Sequence, residues 1–284
     1  MEAVTTIELL EQRIKAILPE RYQDCYEEVQ PVSMGSAGLK YGPDGKVAWN
    51  EIWGSFCDLA MAGGPPHKGT LLLPATQAEI EAHPNEYAEI ATEICRGIQL
   101  VTTLKATLSQ QPGWIEVTCA DPTEAGWLTR AIVMENVSAR TEGANLFLPA
   151  GPHYRIAKEV KNVITSTAKT FHYWDQHTWP AQQREIAALF EKQGELLQPQ
   201  AESNPNIPDA IRAATGLEPT AHNYPGWLGL ECGDVHAAIW LMRALVASAI
   251  LARREQTVLF VPSDEAVIEP LTALHAFAKS RNIL

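Results

Sequence analysis

The sequence predicts an α/β protein of internally repeated β-α-β-α units, two clear copies and one degenerate, forming a mostly parallel sheet flanked by helices. Three observations predict it. First, Pro112 to Pro149 aligns without a gap onto Pro225 to Pro262, with 17 of 38 positions identical. The tryptophans, Cys, Asp and both Arg positions stay in register, which chance periodicity does not produce. Second, each copy reads as a short apolar strand, a helical stretch after Cys-x-Asp, and a second apolar strand ending in Leu-Phe-x-Pro. A crossover of that length is the one parallel strands need. Third, Trp53 to Pro74 carries a weaker echo of the same pattern.

The elements follow in order. Residues 1–20 are an acidic amphipathic helix pattern rather than a basic, apolar signal segment. Val29 to Met34 is the candidate leading strand of the degenerate copy, and Tyr41 to Val47 contains a Pro-Asp-Gly turn. A helix is expected over Ala48 to Met61 and a strand over Thr70 to Leu73. A helical region broken at Pro84 resumes from Asn85 to about Leu108. In the first full copy, strand Ile115 to Thr118 leads into a helix of about five turns, and strand Asn145 to Leu148 closes it. Its counterparts are Leu228 to Glu231 and Val258 to Val261. Helices His153 to His172 and Ala266 to Lys279 continue the alternation. A polar helix, Pro180 to Leu196, precedes a Pro- and Asn-rich stretch over 197–225 that reads as a connection or a lid. A soft boundary near residue 200 separates 1–200, with the degenerate and first full copies, from 201–284, unless one continuous sheet joins them.

The 284 residues are 46% hydrophobic, enough for one large core or two ordinary ones. No apolar run reaches the ~18 residues that span a bilayer, so a soluble, cytoplasmic protein without a membrane partner is expected. Five scattered cysteines are no disulfide framework. A net charge of −12 disfavours nucleic acid.

Asp121 and Asp234 precede the two repeat helices, and Asp-Pro-Thr-Glu at 121–124 is a capping arrangement. Asp121 is also an acid-base candidate if it faces a cleft at the strand ends. Cys119 and Cys232 would then lie near helix N-termini, where thiols acidify; the alternative is small core cysteines. Cys232, Asp234 and His236 make only a weak metal pattern, so no metal ligands are assigned, and the sequence leaves the cofactor unknown. His172 and Asp175 can share a helix face, whereas His177, five residues on, does not join His172 on a continuous helix. Arg130 and Arg243 can lie along Trp127 and Trp240. Arg140 and Arg253 read as the helix-ending residues of their copies. Trp174 and Trp179, which do not recur between copies, are the candidate contact residues.

Where the copies differ is more telling. Glu135 and Asn136 stand where the other copy has Ser248 and Ala249. The degenerate copy carries Gly-Gly-Pro-Pro-His-Lys-Gly at 63–69, with His67 and Lys68 as proton-transferring or cationic groups. After the first full copy, Arg155, Lys158, Lys161 and Lys169, with His153 and His172 alongside, reverse the local charge balance of an acidic chain. Lys158, Lys161 or Asn162, Thr165, Lys169 and His172 recur at three- or four-residue steps, a polar and cationic helix stripe opposite Ile156, Val160, Val163 and Ile164; a solvated helix face is the alternative. These residues predict an anionic small-molecule partner, phosphorylated or carboxylate, in a cleft between repeats. Lys68, Arg155, Lys158, Lys161, His153 and His172 would bind it, and His67, Glu135 and Asp121 would be the groups for any catalysis. Two other classes compete: a non-catalytic repeat scaffold or homo-oligomerising subunit presenting Trp residues, and a metal or redox protein using Cys119 and Cys232.

Overall fold

The computed structural model describes residues 2–23, 38–52, 58–200 and 204–284. The candidate strand Val29 to Met34, Cys25, Cys57 and part of the expected helix Ala48 to Met61 lie outside them. The chain forms two compact units, one of Met1–Val29 with Trp179–Leu284 and one of Gln30–Thr178. Helix α1 (Glu2–Ile17) opens the first. No helix among the described residues is long and apolar enough to cross a membrane.

The Gln30–Thr178 unit contains α2 (Gln77–Ala82), α3 (Pro84–Val101), β1 (Lys105–Leu108), β2 (Trp114–Thr118), α4 (Pro122–Met134), β3 (Arg140–Glu142), β4 (Asn145–Pro149) and α5 (Lys161–His177). A π-helical turn, Ile156–Val160, runs into α5. The four strands make one sheet in the order β1-β2-β4-β3, and every pairing is antiparallel. The parallel sheet expected from the sequence is therefore wrong, and β3 is the reason. The polar triplet Arg140–Glu142 is a strand, and a two-residue turn with Gly143 at φ 56° returns the chain as β4. β4 inserts between β2 and β3, so the crossover strands β2 and β3 run the same way but are not neighbours.

The other unit repeats this arrangement. After α6 (Pro180–Gln193) and α7 (Ile207–Thr215) come β5 (Glu218–Pro219), β6 (Trp227–Glu231), α8 (Val235–Val246), β7 (Arg253–Glu255), β8 (Val258–Pro262) and α9 (Ile268–Ser280). Its sheet order is β5-β6-β8-β7, again antiparallel throughout. The α1 helix packs on α6 and α8, and Gln182 Nε2 donates to Leu18 O (2.6 Å) and Ala16 O (3.0 Å).

Both repeat helices start as the sequence predicts and stop sooner. Asp121 accepts from Thr123 N and Glu124 N, and Asp234 from Ala237 N. The helices end where Asn136 and Ala249 take φ of 61° and 59°, the left-handed conformation that closes helices. Arg140 and Arg253 are consequently not helix-ending residues. They begin β3 and β7, and each lies over the aromatic rings of the neighbouring strands. The Arg140 guanidinium is 4.5 Å from the Phe147 ring and 4.9 Å from Trp114. That of Arg253 is 4.0 Å from Phe260 and 5.3 Å from Trp227, and it pairs with Glu255 at 2.7 Å.

The degenerate copy is not a third sheet unit among the described residues. Trp49–Glu51 and Ala60–Ala62 are single helical turns, and the expected strand Thr70 to Leu73 contributes one parallel bridge, Leu72 to Val137. In the other unit Leu197 bridges Ile250 in the same way. Leu71-Leu72-x-Pro74 thus corresponds to Leu196-Leu197-x-Pro199, a strap laid across the end of each repeat helix. The strap explains a glycine in each copy. A Cβ on Gly113 (φ 80°) would lie 2.2 Å from Ala75 O, and one on Gly226 (φ 74°) 2.0 Å from Gln200 O. Gly113→Ala and Gly226→Ala are each expected to destabilise by about 2 kcal/mol or more, from backbone strain plus a clash with immovable backbone. Denaturant titration of the variants checks this.

Candidate functional site

The loop that leads into the strap, residues 58–70, is held to the end of α4 by the two residues that distinguish this copy. Glu135 is wholly buried. Its Oε1 accepts from Ala60 N (2.9 Å) and pairs with Lys169 Nζ (2.8 Å), and its Oε2 accepts from His67 N (2.9 Å). Its carbonyl takes Lys68 N (3.2 Å), and Asn136 Nδ2 donates to Lys68 O (2.8 Å). With three donors on one carboxylate, Glu135 acts as a clasp for the loop. Lys169 also reaches Asp58 O at 3.4 Å.

His67 sits above this pair. Its Nε2 is 2.7 Å from Thr165 Oγ1, whose hydroxyl donates to Lys161 O at 2.7 Å. With the hydroxyl proton directed to Lys161 O, the imidazole donates from Nε2; with the other tautomer the hydroxyl donates to the ring. Nδ1 is buried without a hydrogen bond. Burial, helped by the charges of Lys169, Lys161 and Lys68, pushes the His67 pKa down to about 3. His67 is therefore a neutral hydrogen-bonding group at physiological pH rather than a cation or proton carrier.

Beside it the loop and the start of α5 bring cations together. Burial lowers the Lys68 pKa, Glu159 opposes the shift, and the charges of Lys158 and Arg155 add to it. Lys161 acts on His67 from the same end of α5. Glu159 is the carboxylate of this group: Arg155 donates to it from its backbone N (3.0 Å) and its guanidinium (3.2 Å), and Lys158 Nζ lies at 3.9 Å. Burial alone would raise the Glu159 carboxyl, but the bonds from Arg155 hold it at about 2. The helix start thus already holds an anion of the chain's own. Arg155 and Lys158 are exposed.

The remaining candidates lie elsewhere. Asp121 caps the opposite end of α4 from Glu135, about 20 Å away at 1.5 Å per residue, so the two do not share a site. His153 is exposed and meets the His83 ring edge-on at 4.8 Å. His172 is three turns along α5 from Lys161, about 16 Å, and lines a cleft of about 370 Å³ with Asn50, Thr102, Thr103, Phe171 and Asp175. Trp174 is buried against Trp127 at 5.3 Å, whereas Trp179 is 60% exposed.

Cys95, Cys119 and Cys232 are free. Burial pushes Cys95 up to about 11 and Cys232 to about 12, and raises Cys119 as well. The shift is opposite to the acidification expected of thiols at helix starts. No group of three or more His, Cys, Asp or Glu side chains suited to a metal occurs among the described residues.

Lys169 and Thr165, which the sequence places on the polar, cationic stripe of the helix, are instead buried. Glu135 itself was the available signal, because a carboxylate replacing Ser248 in an apolar setting requires a buried counter-charge. Comparisons with protein-family models, with curated proteins and with solved structures find no match to this chain.

Proposed function

We propose that the Gln30–Thr178 unit binds a small, multiply charged anion, phosphorylated or carboxylate, on the patch formed by Lys68, Arg155, Lys158 and Lys161. The observation that carries this reading is the convergence of the loop lysine Lys68 with Arg155 and Lys158 of the turn that leads into α5, three cations around the Glu159 carboxylate, with Lys161 acting on His67 beside them. His67 supports it as a neutral donor-acceptor that anchors the loop to Thr165. Binding rather than catalysis is the reading, because the Glu135 carboxylate is held by three donors and burial makes the His67 imidazole a weak base. A reducing, cytoplasmic setting belongs to the same proposal, in keeping with three free cysteines.

Pyrophosphate at about 100 times its Kd should stabilise the fold by about 2.7 kcal/mol. The expected result is that Lys68→Ala and Lys158→Ala each reduce that shift. Glu159→Gln, which removes the chain's own competing anion, should strengthen it. Absence of a shift with pyrophosphate, phosphorylated metabolites and dicarboxylates in wild type and Glu159→Gln sinks the reading. The non-catalytic scaffold is then favoured, for which the pairing of Arg155 with Glu159 and the exposure of Trp179 speak.

A further inference from the structure

At the other end of α5 two histidines meet against the expectation from their spacing. His172 Nε2 and His177 Nε2 are 3.2 Å apart, with ring centroids 4.9 Å apart and planes at 72°. Helical Cβ atoms lean toward the N-terminus, so the side chain of His177, the last residue of α5, can reach back along the helix. The helix ends there, with Thr178 Oγ1 donating to Tyr173 O five residues earlier at 3.0 Å.

We propose that His172 and His177 are an open two-imidazole chelate for a divalent transition-metal ion of the copper, nickel and zinc series. The geometry fits. A metal about 2.0–2.1 Å from each nitrogen puts two cis ligands about 2.9 Å apart at a right angle and about 3.4 Å apart at the tetrahedral angle. The observed separation falls between these, so binding requires little movement beyond replacing the shared proton by the ion.

Two further features favour a cation. The site is at the carboxyl end of a 17-residue helix, where the dipole is negative. The Asp175 carboxylate, which lines the same cleft, acts on His172 electrostatically. The cleft supplies access, and since no third protein ligand completes a set among the described residues, water or a cleft-bound ligand fills the other positions. Imidazole donors and the usual affinity order place Cu²⁺ first, above Ni²⁺ and Zn²⁺. This site is independent of the anion patch.

The test is calorimetric titration of tag-free full-length protein with Cu²⁺ alone, with electron paramagnetic resonance on the 1:1 sample. One ion per chain, a two-nitrogen hyperfine pattern, and affinity loosened about tenfold or more in both His172→Gln and His177→Gln are expected. His222→Gln, at an exposed histidine of the other unit, should leave the affinity unchanged. Imidazole proton resonances give a readout without variants: two histidines should broaden together at substoichiometric Cu²⁺. Binding that survives either substitution, or a pair that stays sharp while other histidines broaden, overturns the proposal. The contact is then a proton-sharing imidazole pair and nothing more.

Discussion

Glu135→Gln is expected to destabilise the Gln30–Thr178 unit by about 3–5 kcal/mol, and Lys169→Met by a similar amount. Each strands a buried charge, because the two side chains are 0% and 3% exposed and face each other at 2.8 Å. The carboxylate loss has a second consequence, since Ala60 N and His67 N both depend on it. Glutamine keeps one carbonyl oxygen and loses one of the two acceptors, so the loop carrying His67 and Lys68 should loosen as well. The double variant Glu135→Gln/Lys169→Met removes both charges and should recover more than 1 kcal/mol relative to the sum of the singles. Urea denaturation of the four proteins checks this. Simple additivity would mean that the pair is not coupled and that the clasp is only a set of backbone bonds. The other unit shows why the pair is dispensable for the fold itself. There Ser248 takes the place of Glu135, its hydroxyl bonds Ala244 O, and Gln193 Nε2 reaches Ala247 O to fix the strap.

What was legible in the sequence is local. The duplication, the Asp121 and Asp234 caps, and the strand-helix-strand order within each copy all follow from residue types at fixed spacing. Strand neighbours do not, because antiparallel or parallel pairing is decided by a triplet such as Arg-Thr-Glu that carries no apolar alternation. Arg140 and Arg253 misled for the same reason: a cation after an apolar run suits a helix end, and nothing local reveals the Phe147 and Phe260 rings beneath them. The α5 helix shows the opposite limit. Its run from Val163 to Phe171 is buried throughout, although it includes Thr165, Ser166, Thr167, Lys169 and Thr170. Thr165, Thr167 and Thr170 return their hydroxyl protons to the carbonyls of Lys161, Val163 and Ser166 at 2.7–2.9 Å. Satisfied in this way, they cost little to bury, yet from sequence they define a polar face. The candidate site was half legible on that account. The loop pair His67 and Lys68 and the exposed cations stand out by type, while Lys169 is visible only once Glu135 is known to be buried.

Acidification gives the second large effect, through His67. Its folded pKa is near 3 against an ordinary value of 6.5, so below pH 6.5 the unfolded chain takes up a proton that the folded chain refuses. The contribution to stability is complete above 6.5 and declines as pH falls, by about 1.4 kcal/mol per unit, until it is lost near pH 3. Carboxylates protonate over the lower part of that window, so the comparison must be between variants. His67→Gln removes the titration, and glutamine can still donate to Thr165 Oγ1. The stability difference between wild type and His67→Gln should therefore be constant from pH 7 to 8 and should shift against wild type between pH 6.5 and 4. A difference that stays flat over that range would show that the imidazole accepts its proton in place, through water reaching Nδ1. The loop would then be a proton-responsive part of the cation patch, with His67 adding its own charge to Lys68 and Lys161 at mildly acid pH. Anion affinity measured at pH 5 separates the two cases. It should be insensitive to His67→Gln if the ring stays neutral, and it should fall in that variant if the ring is charged.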